Sequence, residues 1–287
     1  MWKNKLTVVS YLLMLLALSG CQVNNINLKP LMDATSKSSD MFGKTLEEEV
    51  QMGEDVSSVL LKDSYLYNVK DVQMYVSKVG MWVAHHSERR EVPWKFAVIR
   101  DDSFNAYATP GGNIFITTGT LDNLENEAEL ASVLAHEIAH VVRKHHLHAI
   151  QKEASVGVAL DLARFVRDSK NDESSSSLGL MSEHTPETKF INSLQDIYSN
   201  GLARSDELEA DRMGMVIAAR AGYDPLVYIN VLQKIGAYRS GKDEFWEKYL
   251  KRHPSADERL KALSPTVEKL SAAQGEILQK RYTDRVR

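Results

Sequence analysis

The chain has 287 residues, of which 43% are hydrophobic and 26% are charged, and its net charge at pH 7 is −4. This composition can build one substantial hydrophobic core or two modest ones. The sequence has no basic run interleaved with aromatic residues, which argues against nucleic-acid binding, and a single cysteine excludes an intrachain disulfide.

The N-terminus has the pattern of a secretory signal. Two lysines precede an apolar run from Leu6 to Leu18, which ends in Ser19-Gly20-Cys21. The run is short for a membrane-spanning helix and suits the core of a signal peptide. Its end resembles a bacterial lipobox, which implies that residues 1–20 are a lipoprotein signal peptide and that Cys21 carries acyl chains. Gln22, in place of an aspartate, implies anchoring to the outer membrane, facing the periplasm. The alternative is an ordinary signal peptide or membrane anchor with an incidental cysteine.

Residues 21–44 are polar and show neither a helical nor a strand period, which predicts a tether. From Thr45 the apolar spacing becomes helical, and two amphipathic helices are expected within residues 45–86. Trp94, Phe96 and Val98 then alternate with less apolar residues, which predicts a half-buried strand.

A hairpin is expected next. Residues 106–109 and 114–117 flank the turn sequence Pro110-Gly111-Gly112-Asn113. A β element in this position can serve as an edge to which an extended peptide adds as a further strand. The alternative is a hairpin that only covers the core.

The remainder is predicted to be helical. One long helix is expected from about residue 126 to residue 151, followed by a second through about residue 166 and a serine-rich loop over residues 168–188. Helices resume near residue 190, recur after residue 225, and end in a charged amphipathic helix from Ser264 onward. The sequence thus predicts one catalytic domain over residues 45–287, of α+β class, mainly helical, with a small sheet beside the helix that carries the motif described next.

That motif is H-E-x-x-H, formed by His136, Glu137 and His140. Residues four apart share one face of a helix, so both histidines can reach one metal ion. Glu137, one residue further round, can take a proton from a water at the open position. The pattern indicates a zinc hydrolase, but two histidines leave a catalytic zinc one protein ligand short.

Three residues compete to be the third ligand. His146 stands where metzincins place their last histidine, but Arg143 replaces the glycine that turns the chain there. On a continuing helix His146 points about 240° away from His140, so His145, His146 and His148 are predicted to lie on the surface. Glu207 and Glu209 remain. Placing Glu207 on the zinc brings Asp211, one helical turn on, to a position where it can accept a hydrogen bond from a ligating histidine. Glu207 is therefore predicted to be the ligand.

The motifs H-E-x-x-H and E-x-x-x-D, the latter within ELEAD, resemble those of the zinc metallopeptidases that include HtpX and the CAAX prenyl protease. The phrases NAYATPGGNIFITTGTL, GYDP and HPSADERL strengthen the resemblance, which spans about residues 45–263. HtpX and the prenyl protease have transmembrane helices in the body of the chain, and this sequence has none there. It resembles the soluble, lipid-anchored bacterial branch, in which some members act in quality control of outer-membrane proteins.

The resemblance implies an endopeptidase that holds one Zn²⁺ per chain with His136, His140 and Glu207 and uses Glu137 as the general base for metal-activated water. It further implies a position near the metal for His253, where it could stabilise the transition state or occupy the open position in a latent form; the alternative is that His253 only begins a helix with Pro254 at its first position. The strand Ile114, Phe115, Ile116 and Thr117 is expected to be the substrate-binding edge. Expected substrates are unfolded or misassembled envelope proteins, and the outer-membrane assembly machinery is a candidate partner. A chaperone or binding protein with a latent zinc site is the alternative function.

Overall fold

The computed structural model describes residues 45–61, 64–153, 194, 197–198, 201–237 and 254–287. All of these residues belong to one compact unit, residues 41–287. The predicted signal peptide, the tether with Cys21, most of the predicted second helix through about residue 166, the loop over residues 168–188 and His253 lie outside the described residues.

Two helices precede the sheet, as the sequence predicts. Helix α1 (Leu46–Leu60) begins with a capping box, in which the Thr45 hydroxyl accepts from the Glu48 N–H while the Glu48 carboxylate accepts from the Thr45 N–H. Helix α2 (Lys70–His85) buries the apolar stripe Val72, Val76, Val79 and Val83.

The sheet has three strands: β1 (Lys95–Ile99), β2 (Ala106–Ala108) and β3 (Asn113–Thr117). Their spatial order is β1-β3-β2, with β1 parallel and β2 antiparallel to β3. The predicted hairpin is present, and Gly111 and Gly112 take positive φ angles of 74° and 96° in its turn.

This topology corrects one prediction. The residues Ile114, Phe115, Ile116 and Thr117 were expected to form a substrate-binding edge, but they lie in β3, the central strand, which pairs with neighbours on both sides. A strand whose N–H and C=O groups are taken up on both sides cannot receive a further strand. Among the described residues, β2 is the outer strand on the hairpin side.

The helices after the sheet are α3 (Thr118–Asn123), α4 (Glu127–Val142), α5 (Arg204–Arg220), α6 (Val227–Ala237), α7 (Ala256–Leu270) and α8 (Gln279–Val286). Helix α4 is buried on nearly all sides and packs against α2, α5, α6 and the sheet. The α+β, mainly helical prediction is confirmed. The prediction of one helix from Ser264 onward is wrong in its bounds. Helix α7 begins earlier, at Ala256, and ends at Leu270, and α8 is a separate helix.

The prediction of one long helix over residues 126–151 is also wrong. Helix α4 ends at Val142, and Lys144 takes a left-handed φ of 59°, after which residues 145–153 are helical again. A left-handed residue cannot continue a right-handed helix, so the second segment leaves in a new direction. None of the described helices has the length and apolar character needed to cross a membrane.

Candidate metal centre and active site

Helix α4 brings the three motif residues to one buried site. Asn126 caps the helix by accepting from the Glu129 N–H, and the apolar residues around the motif fix the helix in the core. His136 and His140 are four residues apart, and their Nε2 atoms lie 3.1 Å from each other. Both rings are almost fully buried, at 5% and 2% exposure.

Helix α5 supplies a carboxylate to the same point. The Glu207 oxygens lie 3.7 Å from His136 Nε2 and 3.6 Å from His140 Nε2. One donor atom from each of these three residues lies within 4.8 Å of the other two. Two ligand atoms at about 2.1 Å from a tetrahedral zinc are about 3.4 Å apart, so the spacing and the two-histidine, one-carboxylate donor set both fit zinc.

The ring of His136 is oriented by Asp211. Its Nδ1 lies 3.0 Å from Asp211 Oδ1, which leaves Nε2 facing the candidate metal position. Burial by itself would lower the pKa of His136, but the carboxylates of Asp211 and Glu207 outweigh burial and raise it to about 9. A site whose carboxylates favour a positively charged ring is electrostatically suited to a cation.

Asp211 is itself held by two residues that sequence reasoning did not select. Arg259 Nε and Nη2 donate to its two oxygens at 2.9 and 2.6 Å, and the Tyr228 hydroxyl donates to Oδ1 at 2.7 Å. Burial would raise the pKa of Asp211, but the charge and hydrogen bonds of Arg259 outweigh it and hold the pKa well below its usual range. Arg259 falls within the phrase HPSADERL and Tyr228 just after GYDP, so the segments were recognised although the residues were not.

Because the helix is interrupted at Lys144, the prediction for two histidines is wrong. His145 and His146 were expected on the surface, but they are buried at 4% and 9% exposure, whereas His148 is exposed. His145 Nδ1 lies 3.0 Å from His140 Nδ1. His146 stacks on Tyr198, with ring centroids 4.9 Å apart and planes 7° from parallel, and it is not in the three-donor group found among the described residues.

Glu209 faces away from the candidate metal position. Its carboxylate lies 2.6 Å from Arg143 Nη2 and 3.5 Å from His145 Nε2. The structure thus brings Glu207, and not Glu209, to the two motif histidines.

Glu137 lies in the same cleft at 5% exposure. Burial raises its pKa to about 7, partly offset by the neighbouring His136, by Arg259 and by a hydrogen bond from the backbone of Ala108. A carboxylate with a pKa near neutrality is matched to taking up and releasing a proton.

The cleft has a volume of about 260 Å³ and lies along strand β2. Glu137, His140 and Glu207 line it from the helices, and Ala106 and Tyr107 line it from β2. The Tyr198 hydroxyl reaches β2 as well and donates to the Ala108 carbonyl at 2.9 Å.

Fold and site together define a metallopeptidase of the H-E-x-x-H class, a helical domain with a small sheet beside the motif helix. The sequence model of peptidase family M48 matches residues 70–267. The chain therefore belongs to peptidase family M48, whose members are in general zinc-dependent, and the prediction of a metalloprotease is confirmed. The finer likeness to HtpX and the CAAX prenyl protease stays a prediction.

Two relatives show the breadth of the match. The chain is 28% identical over 235 residues to the beta-barrel assembly-enhancing protease of Escherichia coli K12, which covers 76% of this chain and 44% of that protein. It is 29% identical over 221 residues to the mitochondrial metalloendopeptidase OMA1 of Arabidopsis thaliana, which covers 76% of this chain and 41% of that protein. The matched part of the chain spans less than half the length of both relatives.

Proposed function

We propose that this metallopeptidase is a zinc endopeptidase of the bacterial envelope that cleaves unfolded or misassembled envelope proteins. In this proposal His136, His140 and Glu207 hold one zinc ion and Glu137 is the general base. The observation that carries it is the position of Glu137, which lies in one cleft with His140 and Glu207 of the three-donor group and with the outer strand of the sheet.

The pairing pattern of β2 shows which of its backbone groups remain available. The N–H groups of Thr117 and Thr109 donate to the carbonyls of Asn105 and Asn113, so residues 105, 107 and 109 face β3. In an antiparallel pair the intervening residues direct their N–H and C=O groups outward, which leaves those of Ala106 facing away from β3. At Ala108 the N–H lies close enough to the Glu137 carboxylate to lower the pKa of Glu137, and the C=O accepts a hydrogen bond from the Tyr198 hydroxyl.

An extended peptide can therefore pair with β2 at Ala106 and place a peptide bond beside Glu137. This mode of recognition uses main-chain groups, which every unfolded segment exposes. It fits an enzyme that selects substrates by their unfolded state more than by one sequence.

Zinc, when bound, supplies a Lewis acid that polarises the scissile carbonyl and makes water nucleophilic near neutral pH. Glu137 takes the proton from the attacking water and delivers it to the leaving amine. Asp211, fixed by Arg259 and Tyr228, keeps His136 in the tautomer that leaves Nε2 free to act as a ligand.

Glu137→Gln tests the mechanism, because it keeps the size of the side chain and one acceptor oxygen and removes the base. We expect cleavage of an unfolded protein, such as a reduced and carboxymethylated test protein, to fall by about 10²- to 10⁴-fold at unchanged zinc content. Equal cleavage rates for the two proteins at equal zinc content would refute the mechanism. If neither protein cleaves but both bind the unfolded protein, the alternative of a binding protein with a latent zinc site is correct.

The location is also part of the proposal. Cys21 as a lipidated residue, anchoring to the outer membrane and exposure to the periplasm are supported by the N-terminal sequence, and an assembly role is supported by likeness to a protein named beta-barrel assembly-enhancing protease. Metabolic labelling with a fatty acid is expected to mark the wild type and not Cys21→Ser. Labelling of both would contradict the lipid anchor.

A further inference from the structure

We propose that His145 and Glu209 are positioning residues that fix the tautomer and orientation of His140 for zinc binding. This inference rests on the proposed zinc site and adds a second support to it, separate from the one that Asp211 gives to His136.

The break after α4 is what makes the arrangement possible. On a continuous helix a residue five positions after His140 lies about 140° away round the axis, where it cannot contact the imidazole. Because Lys144 is left-handed, the chain turns and the ring of His145 meets that of His140, with centroids 5.1 Å apart and the two Nδ1 atoms 3.0 Å apart.

The hydrogen-bonding chemistry allows one assignment of protons. A His140 that binds zinc through Nε2 carries its proton on Nδ1, so the Nδ1 of His145 is the acceptor. The proton of a neutral His145 is then on Nε2, which faces Glu209 Oε2 at 3.5 Å. The Glu209 carboxylate attracts this N–H at that distance, so the direction of each donor in the series His140–His145–Glu209 is set by the metal at one end and by Glu209 at the other.

Glu209 is placed from two sides. It is two residues after Glu207 on α5. Its other oxygen is 2.6 Å from Nη2 of Arg143, which directly precedes the left-handed Lys144. Helix α5 therefore contacts the site three times: Glu207 reaches the candidate metal position, Asp211 holds His136, and Glu209 holds His145.

The effect of these contacts can be separated from packing. His145 is buried, so an aromatic ring of similar size fills its space without accepting a hydrogen bond. Asparagine places a carbonyl oxygen near the position of the histidine Nδ1 and restores the acceptor. We therefore compare His145→Phe with His145→Asn.

The experiment measures zinc affinity by competition with a chromogenic chelator, and the visible spectrum of the cobalt-substituted protein. Loss of an outer partner of a ligating histidine costs about 10- to 100-fold in metal affinity, so we expect that loss for His145→Phe and a change of less than about 3-fold for His145→Asn. The cobalt bands are expected to shift only in the phenylalanine variant. Equal affinities for the two variants, whether high or low, would overturn the inference, because only packing would then matter.

Glu209 provides a test that leaves the core intact, since its side chain is 37% exposed. We expect Glu209→Leu to weaken zinc binding, and Glu209→Gln, which keeps an acceptor oxygen, to retain most of it. If His145→Phe does not fold, the comparison of Glu209→Leu with Glu209→Gln tests whether these residues position His140. Wild-type protein that binds no zinc would refute the proposed function, whereas wild type and Glu209→Leu that bind zinc equally tightly would refute this inference alone.

Discussion

Asp211 receives hydrogen bonds from four directions while almost no surface of it is exposed. His136, Tyr228 and both donor groups of Arg259 converge on its two oxygens. A buried carboxylate is stable only when its charge is compensated and its lone pairs are satisfied. Here the same contacts that stabilise the charge also orient a candidate metal ligand.

Asp211→Asn is therefore expected to act on both metal binding and stability. The amide keeps the shape but removes the charge that faces Arg259, and we expect zinc affinity to fall by about 10- to 100-fold. Stability of the metal-free protein is expected to fall by on the order of 3 kcal/mol, because a buried guanidinium loses its partner. Chelator competition and denaturant unfolding measure the two effects.

The exposed pair of Glu88 and Arg220, the last residue of α5, serves as a control. Glu88→Gln removes a charge from an ion pair in which both side chains are about half exposed, and such pairs contribute about 1 kcal/mol or less. An effect of Asp211→Asn no larger than that of Glu88→Gln would contradict the role given to Asp211.

The sequence could predict those site residues that regular helix geometry relates to one another. His136 and His140, and likewise Glu207 and Asp211, are four residues apart, and an unbroken helix brings each pair to one face. His145 could not be predicted in this way, because its position depends on the left-handed Lys144, a conformation that lysine seldom adopts. Tyr228 and Arg259 are brought to Asp211 by tertiary packing, which local spacing does not encode.

At the level of helices, Gly214 of α5 lies against the backbone of α4. A Cβ atom there would lie 3.0 Å from the His136 nitrogen and 3.1 Å from its Cα, both backbone atoms that cannot move aside easily. Gly214 follows Glu207 and Asp211 on the same face of α5. The small residue lets the carboxylates reach the histidines.

Gly214→Ala is expected to weaken zinc binding although alanine favours a helix by about 1 kcal/mol. The added methyl group pushes α5 away by a few tenths of an ångström, and we expect roughly a 3- to 10-fold loss of affinity, since site geometry is sensitive to displacements below 1 Å. The control is Gly236→Ala in α6, where a Cβ would meet, among the described residues, only the Ala256 side chain, at 3.2 Å. Unchanged affinity in Gly214→Ala would show that the helices tolerate the methyl group.

Strand β2 gives a second prediction at this level. Ala106→Pro removes an N–H that faces away from β3, and proline is tolerated at such edge positions. We expect little change in melting temperature and a fall in kcat/KM of about 3- to 10-fold, which corresponds to one lost hydrogen bond to substrate. Ala106→Val, which keeps the N–H, is the control, and equal kcat/KM for the two variants would exclude substrate pairing at Ala106.

The hairpin was predictable from its turn residues, but the order of the strands was not. Strand β1 comes first in the sequence, yet it pairs in parallel with β3 and leaves β2 outside. Alternation and turn signals describe neighbours along the chain, whereas a parallel pairing depends on contacts across the intervening residues. This is why the edge was assigned to the wrong strand of the hairpin.

For the domain as a whole, Glu49 joins four separate parts. This fully buried carboxylate of α1 lies 2.7 Å from Arg89 Nη1 and 3.1 Å from Nζ of Lys144, the left-handed residue after α4. It also accepts from the backbone N–H of Gly111 in the hairpin turn, at 3.4 Å. Burial would raise the pKa of Glu49, but the hydrogen bonds and charges of Arg89 and Lys144 outweigh it, so the pKa is lowered.

This lowered pKa predicts an acid-dependent loss of stability. The ionised form is favoured by folding, so its contribution is complete above the unfolded-state pKa of about 4.3 and is lost as the pH falls through the lower folded-state value. Glu49→Gln is expected to be less stable than wild type by on the order of 3 kcal/mol at pH 7, and the difference is expected to shrink below about pH 4. Denaturant unfolding of the two proteins at pH 7 and at about pH 3 measures this difference in stability.

Glu54→Gln, on the same helix, is the matched control, because the Glu54–Lys95 pair is about half exposed. It is expected to change stability by about 1 kcal/mol or less at either pH. A wild-type advantage over Glu49→Gln that stayed constant from pH 7 to pH 3 would contradict the ionisation argument.

The three candidate ligands come from two helices, so a bound ion would link two distant points of the chain and close a loop between them. Between His140 and Glu207 the chain runs for roughly 65 residues, and a cross-link closing a loop of that length contributes about 4 kcal/mol by restricting the unfolded chain. With one cysteine in the sequence, the protein cannot form that closure as an internal disulfide. Bound zinc would close this loop instead. A chelator would then lower the free energy of unfolding, as a reducing thiol does for a disulfide-bonded protein.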